Sequence, residues 1–222
     1  MKQRQKNVLI KLIKSYLVEL FKFCTTYRFR KYLVKICILQ RPFPERLQLF
    51  VKLVKERCRG KRVLIIAPNQ HVLKEISEVA YQVVTIDKKA NGYDYGNCVL
   101  RKDLTRLPGA FYNHFDIIIC NAVLEHIEND IEAIGNIWMA LNPNGTAFIT
   151  VPIYMDLPTH EKYKSRYNRI KYYGQYDHVR LYGGDIVEKF AKFSEVKYYS
   201  YADKFDNLSE FMQRQIVFEL KK

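Results

Sequence analysis

Glycine is scarce in this chain, and the patterns that it lacks exclude several classes of protein. Only 9 of the 222 residues are glycine, and no G-x-G-x-x-G phrase occurs, which argues against a nicotinamide-binding Rossmann domain. The five cysteines form no C-x-x-C pair and are odd in number, so a reduced, cytosolic compartment is favoured. No uncharged run reaches the roughly 20 residues needed to span a bilayer, and no signal peptide is expected because lysines interrupt the N-terminal apolar residues.

The positive charge is concentrated at the N-terminus. Residues 1–60 contain 16 Lys/Arg and 3 Asp/Glu, or +13, whereas residues 61–222 contain 21 and 20, or +1. Apolar residues recur at helical spacing within 1–60, so we expect a basic amphipathic helical arm. Residues 1–40 could bind an anionic membrane surface, pack against the rest of the chain or, as a less favoured alternative, bind nucleic acid.

The most informative stretch lies between residues 115 and 152. The isoleucine-rich segment Phe115–Cys120 predicts a strand that is buried on both faces. An apolar stripe predicts a helix over Asp130–Leu141, and a second buried strand follows at Ala147–Val151. Two buried strands joined by a helix form a βαβ unit, whose ligands bind at the carboxyl ends of the strands. The loop Asn121–His126 is therefore expected to contribute to a site.

This stretch resembles the second half of a class I S-adenosylmethionine-dependent methyltransferase. The phrases FDIIICNAVLEHI and ALNPNGTAFITVP carry the resemblance, with Asn144 at a position where glycine is common. The resemblance implies an α/β, Rossmann-like domain over residues 61–222, with a seven-stranded, mostly parallel sheet. A last strand over Arg214–Leu220 is expected to be an antiparallel edge strand.

The loop after the first predicted strand departs from the usual family pattern. That strand spans Lys61–Ala67, and Ala67, Pro68 and Asn69 stand where an acid and a glycine-rich loop are common. A subgroup of these methyltransferases carries L-x-x-A-P-E here and DHVR-x-YG later, and the chain has VLIIAPN and, at Asp177–Gly183, DHVRLYG. We therefore expect retained cofactor binding, with a binding-only descendant of the fold as the alternative.

The resemblance assigns further residues to the cofactor S-adenosyl-L-methionine. Asp87 ends the predicted strand Gln82–Asp87, where an acid would bind the ribose hydroxyls. Asp103 and Leu104 are expected near the adenine, and Asn121 in the loop after the fourth strand. Asp87 and Asp103 could alternatively cap a helix or a turn.

A segment rich in tyrosine and basic residues occupies positions 154–183. It contains seven tyrosines and six Lys/Arg against three Asp/Glu between Tyr154 and Tyr182. In the methyltransferase fold, insertions after the fifth strand commonly form the acceptor lid. Tyrosine faces suit sugars or bases, and basic side chains suit phosphate, so a glycan, nucleotide-sugar or phosphorylated lipid acceptor is predicted. The alternative is an exposed loop with solvated charges.

Three residues are candidates for the chemistry: His126, His178 and Arg180. A histidine could remove the acceptor proton near neutral pH, and Asp177 or Arg180 could pair with the substrate or the cofactor carboxylate. His126 could instead pack beneath its loop. Glu125, His126 and His178 resemble part of a divalent-ion set seen in small-RNA 2′-O-methyltransferases, but Ala122 replaces its first glutamate, and no metal is expected.

Together these features predict an S-adenosylmethionine-dependent methyltransferase that methylates oxygen on a glycan precursor or a phosphorylated or lipid-linked acceptor. The predicted location is cytoplasmic, with peripheral attachment to the inner face of the membrane. The alternatives are a catalytically degenerate binding protein and an RNA methyltransferase.

Overall fold

The computed structural model describes residues 43–89, 99–205 and 215–222, so the predicted arm 1–40 lies outside the described residues. The α-helices in these ranges are α1 (Phe43–Val54), α2 (Gln70–Ser77), α3 (Asp130–Ala140), α4 (Arg166–Tyr173) and α5 (Ile186–Ala191). The strands are β1 (Arg62–Ile66), β2 (Gln82–Asp87), β3 (Leu100–Arg101), β4 (Phe115–Asn121), β5 (Leu141–Thr150), β6 (Ile153–Tyr154), β7 (Tyr182–Gly183), β8 (Glu195–Ser200) and β9 (Ile216–Lys221).

Seven strands form one sheet in the order β3-β2-β1-β4-β5-β9-β8. Strands β1 to β5 pair in parallel, and β9 pairs antiparallel with both β5 and β8. The predicted Rossmann-like sheet is therefore confirmed. One detail is corrected: the antiparallel last strand is not at the edge, because β8 pairs with its outer side and takes the edge position.

The sheet is covered on both faces, which explains the continuous apolar runs in its central strands. In β1, Leu64 and Ile66 pack into one buried cluster with residues of α3 and α5, whereas Val63 and Ile65 pack into the other with residues of α1 and α2. Because successive side chains of a strand point to opposite faces, both faces of a central strand must be apolar. Fully burying one such side chain contributes about 1.5–3 kcal/mol.

Helix α1 contributes to this core. Phe50 and Val54 are almost completely buried, and they pack in the same cluster as β1 and α2. The compact unit that contains the sheet begins at Arg46, fifteen residues before the boundary predicted after residue 60. Packing rather than charge thus decides the position of residues 47–58, although they include several basic side chains.

The described ranges contain no helix that is both long and apolar enough to cross a membrane. Cys58 and Cys120 are buried free thiols. Burial raises the pKa of Cys58 to about 12 and raises that of Cys120 as well, so both remain protonated at neutral pH.

Candidate functional site

The sheet reverses its strand order between β1 and β4, and this topological switch point locates the crevice in which such sheets bind ligands. Ala67 follows β1 and Ala122 follows β4. Both have left-handed backbone conformations, with φ of +47° and +56°, a region that costs a non-glycine residue roughly 1–2 kcal/mol. Two strained alanines at neighbouring strand ends are typical of a functional site.

The glycine-free first turn adopts the backbone conformation that glycine would favour. The Ala67 N–H donates to the Ile86 carbonyl at 2.8 Å, which fastens the turn to β2. Pro68 is buried. Asn69 caps α2, because its Oδ1 accepts a hydrogen bond from the His71 N–H at 2.9 Å. The predicted cofactor contacts of Ala67, Pro68 and Asn69 remain predictions, but the cap identifies a structural role for Asn69 that the sequence did not indicate.

The two predicted acids lie at the ends of neighbouring strands. Asp87 ends β2 and pairs in register with Arg101 of β3, and its Oδ1 accepts a hydrogen bond from the Lys89 N–H at 2.7 Å. Asp103 follows β3, caps a short turn through the Thr105 N–H at 3.0 Å and lies 2.7 Å from Lys88 Nζ. The topology therefore brings both carboxylates to the carboxyl ends of two neighbouring parallel strands, as a site for ribose and adenine requires.

The Asp87 and Asp103 carboxylates also have partners within the protein. Burial alone would raise the pKa of Asp103, but hydrogen bonds from Lys88 and Thr105 hold it below its ordinary value. Leu104 is buried, and its carbonyl accepts a hydrogen bond from the Asn136 side chain at 2.9 Å. Asp103 therefore does cap a turn, which was the alternative to cofactor binding. Its assignment to the cofactor remains a prediction.

A second group of polar residues lies where β4 ends. Asn121 accepts a hydrogen bond from the Thr150 hydroxyl, which fixes its side chain against β5. The next turn contains Glu125 and His126. The Glu125 carbonyl accepts a hydrogen bond from the Val179 N–H at 2.8 Å, so the DHVR phrase packs directly against the β4 loop. The structure thus brings together His126 and His178, which are 52 residues apart in the sequence.

The two histidines interact with each other and with oxygen acceptors. Their rings meet edge to face with centroids 4.7 Å apart. His126 Nδ1 lies 3.3 Å from Asp177 Oδ2, and His178 Nδ1 lies 2.8 Å from the Tyr173 carbonyl oxygen. Burial lowers the pKa of His126, although Asp177 opposes this shift, so the ring is mostly neutral at pH 7.

Glu125 is a functional candidate that the sequence indicated only as a member of an incomplete divalent-ion set. Its side chain is buried, with 1% of the residue exposed, and Oε2 has no hydrogen-bond partner among the described residues. Burial raises the pKa of Glu125 to about 8. A backbone hydrogen bond and the Arg46 charge oppose this rise of the pKa without cancelling it. A buried carboxyl group with an incomplete set of partners is costly, and such groups are concentrated at functional sites. Its position within the LEH phrase was the available signal.

Arg180, a predicted catalytic residue, is surrounded by protein acceptors in the structure. Its guanidinium donates hydrogen bonds to the carbonyl oxygens of Leu124, Ile127 and Glu128 and forms ion pairs with Asp130 and Glu161. The side chain is only 2% exposed, so its donors are directed at protein acceptors rather than at a ligand. In the structure Arg180 positions the loop that carries Glu125 and His126, and its predicted catalytic role remains a prediction.

The remainder of the DHVRLYG phrase is explained by close packing. The Tyr182 hydroxyl donates to Asp130 at 2.8 Å, and Lys189 lies 2.7 Å from the same carboxylate oxygen. Gly183 pairs with Tyr154 where β6 meets β7. A Cβ at Gly183 would lie 1.9 Å from the Leu157 carbonyl oxygen, so no larger residue fits that backbone approach.

The 154–183 segment combines buried tyrosines, such as Tyr173, with several exposed tyrosines. Tyr173 is buried, and its hydroxyl contacts His160 Nδ1 at 3.1 Å and the Tyr163 N–H at 3.0 Å. Tyr163 stacks on Tyr172 with centroids 4.1 Å apart. Several other large side chains of the segment are exposed: Tyr154, Leu157, Tyr167, Ile170 and Tyr176.

A family model of methyltransferase domains matches residues 41–192 of the chain. No curated protein matches the sequence at a significant level. Solved structures with the same fold include an S-adenosylmethionine-dependent methyltransferase from Archaeoglobus fulgidus, with 16% identity, a TM-score of 0.54, and coverage of 80% of this chain and 92% of that one. An S-adenosylmethionine-dependent methyltransferase from Mesorhizobium loti is 18% identical, with a TM-score of 0.51, and the match covers 79% of this chain and 96% of that one.

A third similar structure is the 1,6-didemethyltoxoflavin-N1-methyltransferase of Burkholderia thailandensis, solved with bound 1,6-didemethyltoxoflavin and S-adenosylhomocysteine. It is 12% identical, with a TM-score of 0.54, and the match covers 90% of this chain and 91% of that one. The family match covers more than half of the chain, and the sheet order agrees with it. The chain therefore belongs to the methyltransferase-domain family, which confirms the predicted class I S-adenosylmethionine-dependent methyltransferase.

Proposed function

We propose that this methyltransferase transfers a methyl group to a hydroxyl oxygen of a sugar-containing or phosphorylated acceptor. The observation that carries the proposal is the group formed by Glu125, His126, Asp177 and His178 at the carboxyl end of β4, which we name the histidine–carboxylate cluster. It lies on the loop beside the switch point, and the tyrosine-bearing segment packs directly on that loop through the Val179–Glu125 hydrogen bond.

The cofactor is assigned to the crevice between β1 and β4 and to the adjoining ends of β2 and β3. S-adenosylmethionine supplies a methyl group on a sulfonium, which is already activated for in-line displacement. Ala67 and Ala122 add only methyl groups at the two turns, so the backbone remains accessible to a ligand. Asp87 is half-buried at the end of β2, a position suited to ribose hydroxyls. These features fit the cofactor despite the missing glycines.

The acceptor is assigned to the surface of the 154–183 segment. Tyr172 and Tyr176 expose roughly half of their area, and each lies beside a cation: Lys171 Nζ is 4.9 Å from the Tyr172 ring centroid, and Arg166 Cζ is 4.5 Å from that of Tyr176. Flat aromatic faces next to positive charges suit a sugar ring that bears phosphate.

The acceptor hydroxyl must lose a proton as its oxygen attacks the methyl group. The histidine–carboxylate cluster provides for this loss, because Asp177 holds the His126 ring and burial keeps that ring neutral at pH 7. A neutral amine can attack through its lone pair before it loses a proton, so an amine acceptor would not require the same arrangement. This requirement is the physical reason for favouring oxygen.

An acceptor panel tests the proposal. The full chain would be incubated with S-adenosylmethionine and, in separate reactions, nucleotide sugars, phosphorylated lipid-linked sugars, small amines and structured RNA, and S-adenosylhomocysteine release would be measured. We expect release with a sugar or phosphate-bearing acceptor and a methyl ether in the product by mass spectrometry. Turnover with amines or RNA alone would contradict the proposed acceptor class.

We further propose that the enzyme acts in the cytoplasm at the inner face of the membrane, through the basic residues 1–40. The support is the charge of residues 1–60, +13 against +1 for the rest of the chain, because each basic residue near an anionic surface adds about 1 kcal/mol. Flotation with anionic vesicles, compared with neutral vesicles and with RNA gel shift, is the test. Retention by RNA but not by anionic vesicles would contradict the membrane proposal.

A further inference from the structure

Glu125, His126 and His178 form a group whose ligand atoms, one from each side chain, all lie within 4.8 Å of one another. Two imidazole nitrogens and one carboxylate oxygen make a donor set that binds first-row divalent metals such as zinc or iron, as opposed to magnesium or calcium. Ligands on one ion with bonds of about 2.1 Å lie at most about 4.2 Å apart. In a tetrahedral site with such bonds the ligand atoms lie about 3.4 Å apart, so binding would draw the widest pair together by up to about 1.4 Å.

The acceptors behind both histidines set the ring tautomer that a metal requires. Because His178 Nδ1 faces the Tyr173 carbonyl at 2.8 Å, that nitrogen carries the proton, and Nε2 bears the lone pair. His126 Nδ1 faces the Asp177 carboxylate at 3.3 Å in the same way. Metal-binding histidines almost always donate their second ring nitrogen to a carboxylate or a carbonyl, and here each histidine has one of these partners.

Glu125 supplies a second and independent observation. Its side chain is buried, and Oε2 has no hydrogen-bond partner among the described residues. A buried carboxylate oxygen needs a cation or a donor, and both imidazoles offer a nitrogen within 4.8 Å of a Glu125 carboxylate oxygen. A metal ion would supply this oxygen with a cation and would take the two imidazoles as further ligands.

We propose that Glu125, His126 and His178 bind one divalent transition-metal ion at the carboxyl end of β4. Three protein ligands leave coordination positions open, which is typical of catalytic rather than purely structural sites. Arg180 stabilises this geometry indirectly, because it holds the carbonyls of Leu124 and Ile127 on either side of Glu125 and His126.

The chemical role of the ion rests on the proposed function, whereas the site itself does not. An acceptor hydroxyl in an open position would have a lowered pKa. The O–H bond would break with its proton passing to water, the oxygen would form a bond to the methyl carbon, and the carbon–sulfur bond would break to release neutral S-adenosylhomocysteine. In this arrangement the histidines promote proton loss through the ion.

Metal binding can be measured without cofactor or acceptor. The full chain, stripped with a chelator and kept reduced, would be titrated with Co²⁺, and binding would be followed by visible d–d absorption and by equilibrium dialysis. We expect one Co²⁺ per chain, displaced by Zn²⁺, without the thiolate charge-transfer band that cysteine ligands would give. No binding to the folded chain, or a spectrum dominated by thiolate, would overturn the proposal.

Substitutions of the proposed ligands test whether these residues bind the metal ion. E125Q, H126Q and H178Q should each abolish Co²⁺ binding, and D177N should weaken it by 10–100-fold because Asp177 acts behind a ligand. H114Q is the matched control, since His114 lies at the opposite end of β4, and it should bind as the wild type does. Circular dichroism distinguishes lost ligands from lost folding.

A folded variant that combines E125Q, H126Q and H178Q and still binds Co²⁺ would contradict the assignment of these residues as metal ligands. If metal binding fails while sugar methylation is observed, only this inference is lost. If Co²⁺ binds and the acceptor panel fails, the metal site stands and the proposed function is withdrawn.

Discussion

The two halves of the candidate site use carboxylates in opposite ways. At the ends of β2 and β3, Asp87 and Asp103 are half-buried, and each caps a local turn or pairs with a neighbouring lysine. At the end of β4, Glu125 is fully buried with one oxygen unpartnered among the described residues. Partner hydrogen bonds hold the pKa of Asp103 below its ordinary value, whereas burial raises that of Glu125 to about 8.

In the proposed function, this difference separates the residues that bind the cofactor from those that act on the acceptor. An ionised acid with satisfied oxygens can add a hydrogen bond to a ribose without rearrangement, and it costs the fold little. A buried carboxyl group with an incomplete set of partners destabilises the folded state, so the surrounding structure must compensate for it. The Arg46 charge provides part of this compensation, and Arg180 contributes by holding the loop in place, since it connects the β4 loop to Asp130 and Glu161.

The largest expected effect is that of Arg180→Ala. The substitution removes the donors of three carbonyls and leaves the buried Asp130 without one of its cations, so we expect the free energy of unfolding to fall by about 3–5 kcal/mol. Urea unfolding followed by circular dichroism measures it. Arg166→Ala is the control, because its guanidinium lies over the exposed Tyr176 ring, and it should cost less than about 1 kcal/mol. Equal losses in both variants would contradict the compensating role.

The next prediction compares a substitution at the end of β4 with one at the end of β2, and it tests whether the two halves of the candidate site have separate functions. His126→Ala should lower kcat by about 100-fold, because the acceptor proton is no longer removed effectively, and should leave cofactor affinity unchanged. Asp87→Asn should instead raise the Kd for S-adenosylmethionine about tenfold, the loss of one charge-assisted hydrogen bond. Kinetics and calorimetry on both variants are the measurements. A loss of cofactor affinity in His126→Ala as large as that in Asp87→Asn would show that the halves are not separate.

Gly183→Ala should destabilise the fold by about 1–3 kcal/mol, in the range of overpacked sites, because its Cβ would meet backbone atoms of Leu157 and Pro158 at 1.9 and 2.4 Å. The change would separate β6 from β7, which join the tyrosine segment to the domain. Gly109→Ala is matched to it, since no atom lies within 4 Å of that Cβ. Thermal unfolding compares the two, and a neutral Gly183→Ala would contradict the packing account.

The smallest expected effect is on the cofactor half. Since the pKa of Asp103 is lowered in the folded state, its contribution is present above the ordinary aspartate pKa and is lost as pH falls through the lower, folded value. Asp103→Asn should reduce this acid-side loss of stability by less than about 1 kcal/mol, because solvent screens the pair with Lys88. Unfolding measured from pH 7 down to strongly acidic pH tests it: the variant should be less stable than the wild type at neutral pH and should converge with it in acid. A larger stability difference at acid pH than at neutral pH would contradict the sign.

Much of the sheet could be predicted because its signals are local. The strand Gln82–Asp87 was predicted to the residue, and β4 extends only one residue beyond its prediction. The position of β9 between β5 and β8 could not be predicted, since strand order depends on pairing between residues distant in the sequence. The same limitation applies to α1, whose basic surface concealed a buried face formed by Phe50 and Val54.

The site was only partly predictable for the same reason. The histidines were visible as motif residues, and the fold brings them together. Burial determines what the neighbouring residues do, and burial is a property of the packed structure. It gives Glu125 its raised pKa and directs Arg180 at backbone carbonyls, although an arginine in a motif is equally suited to bind a ligand.

The central claim is that a cofactor site persists at the switch point although Ala67 replaces glycine in the first turn. Calorimetry on the full chain with S-adenosylmethionine and S-adenosylhomocysteine tests it most directly. We predict saturable binding of both, at one site per chain, weakened by Asp87→Asn. Absence of binding with either ligand, in a chain that unfolds cooperatively, would contradict the account.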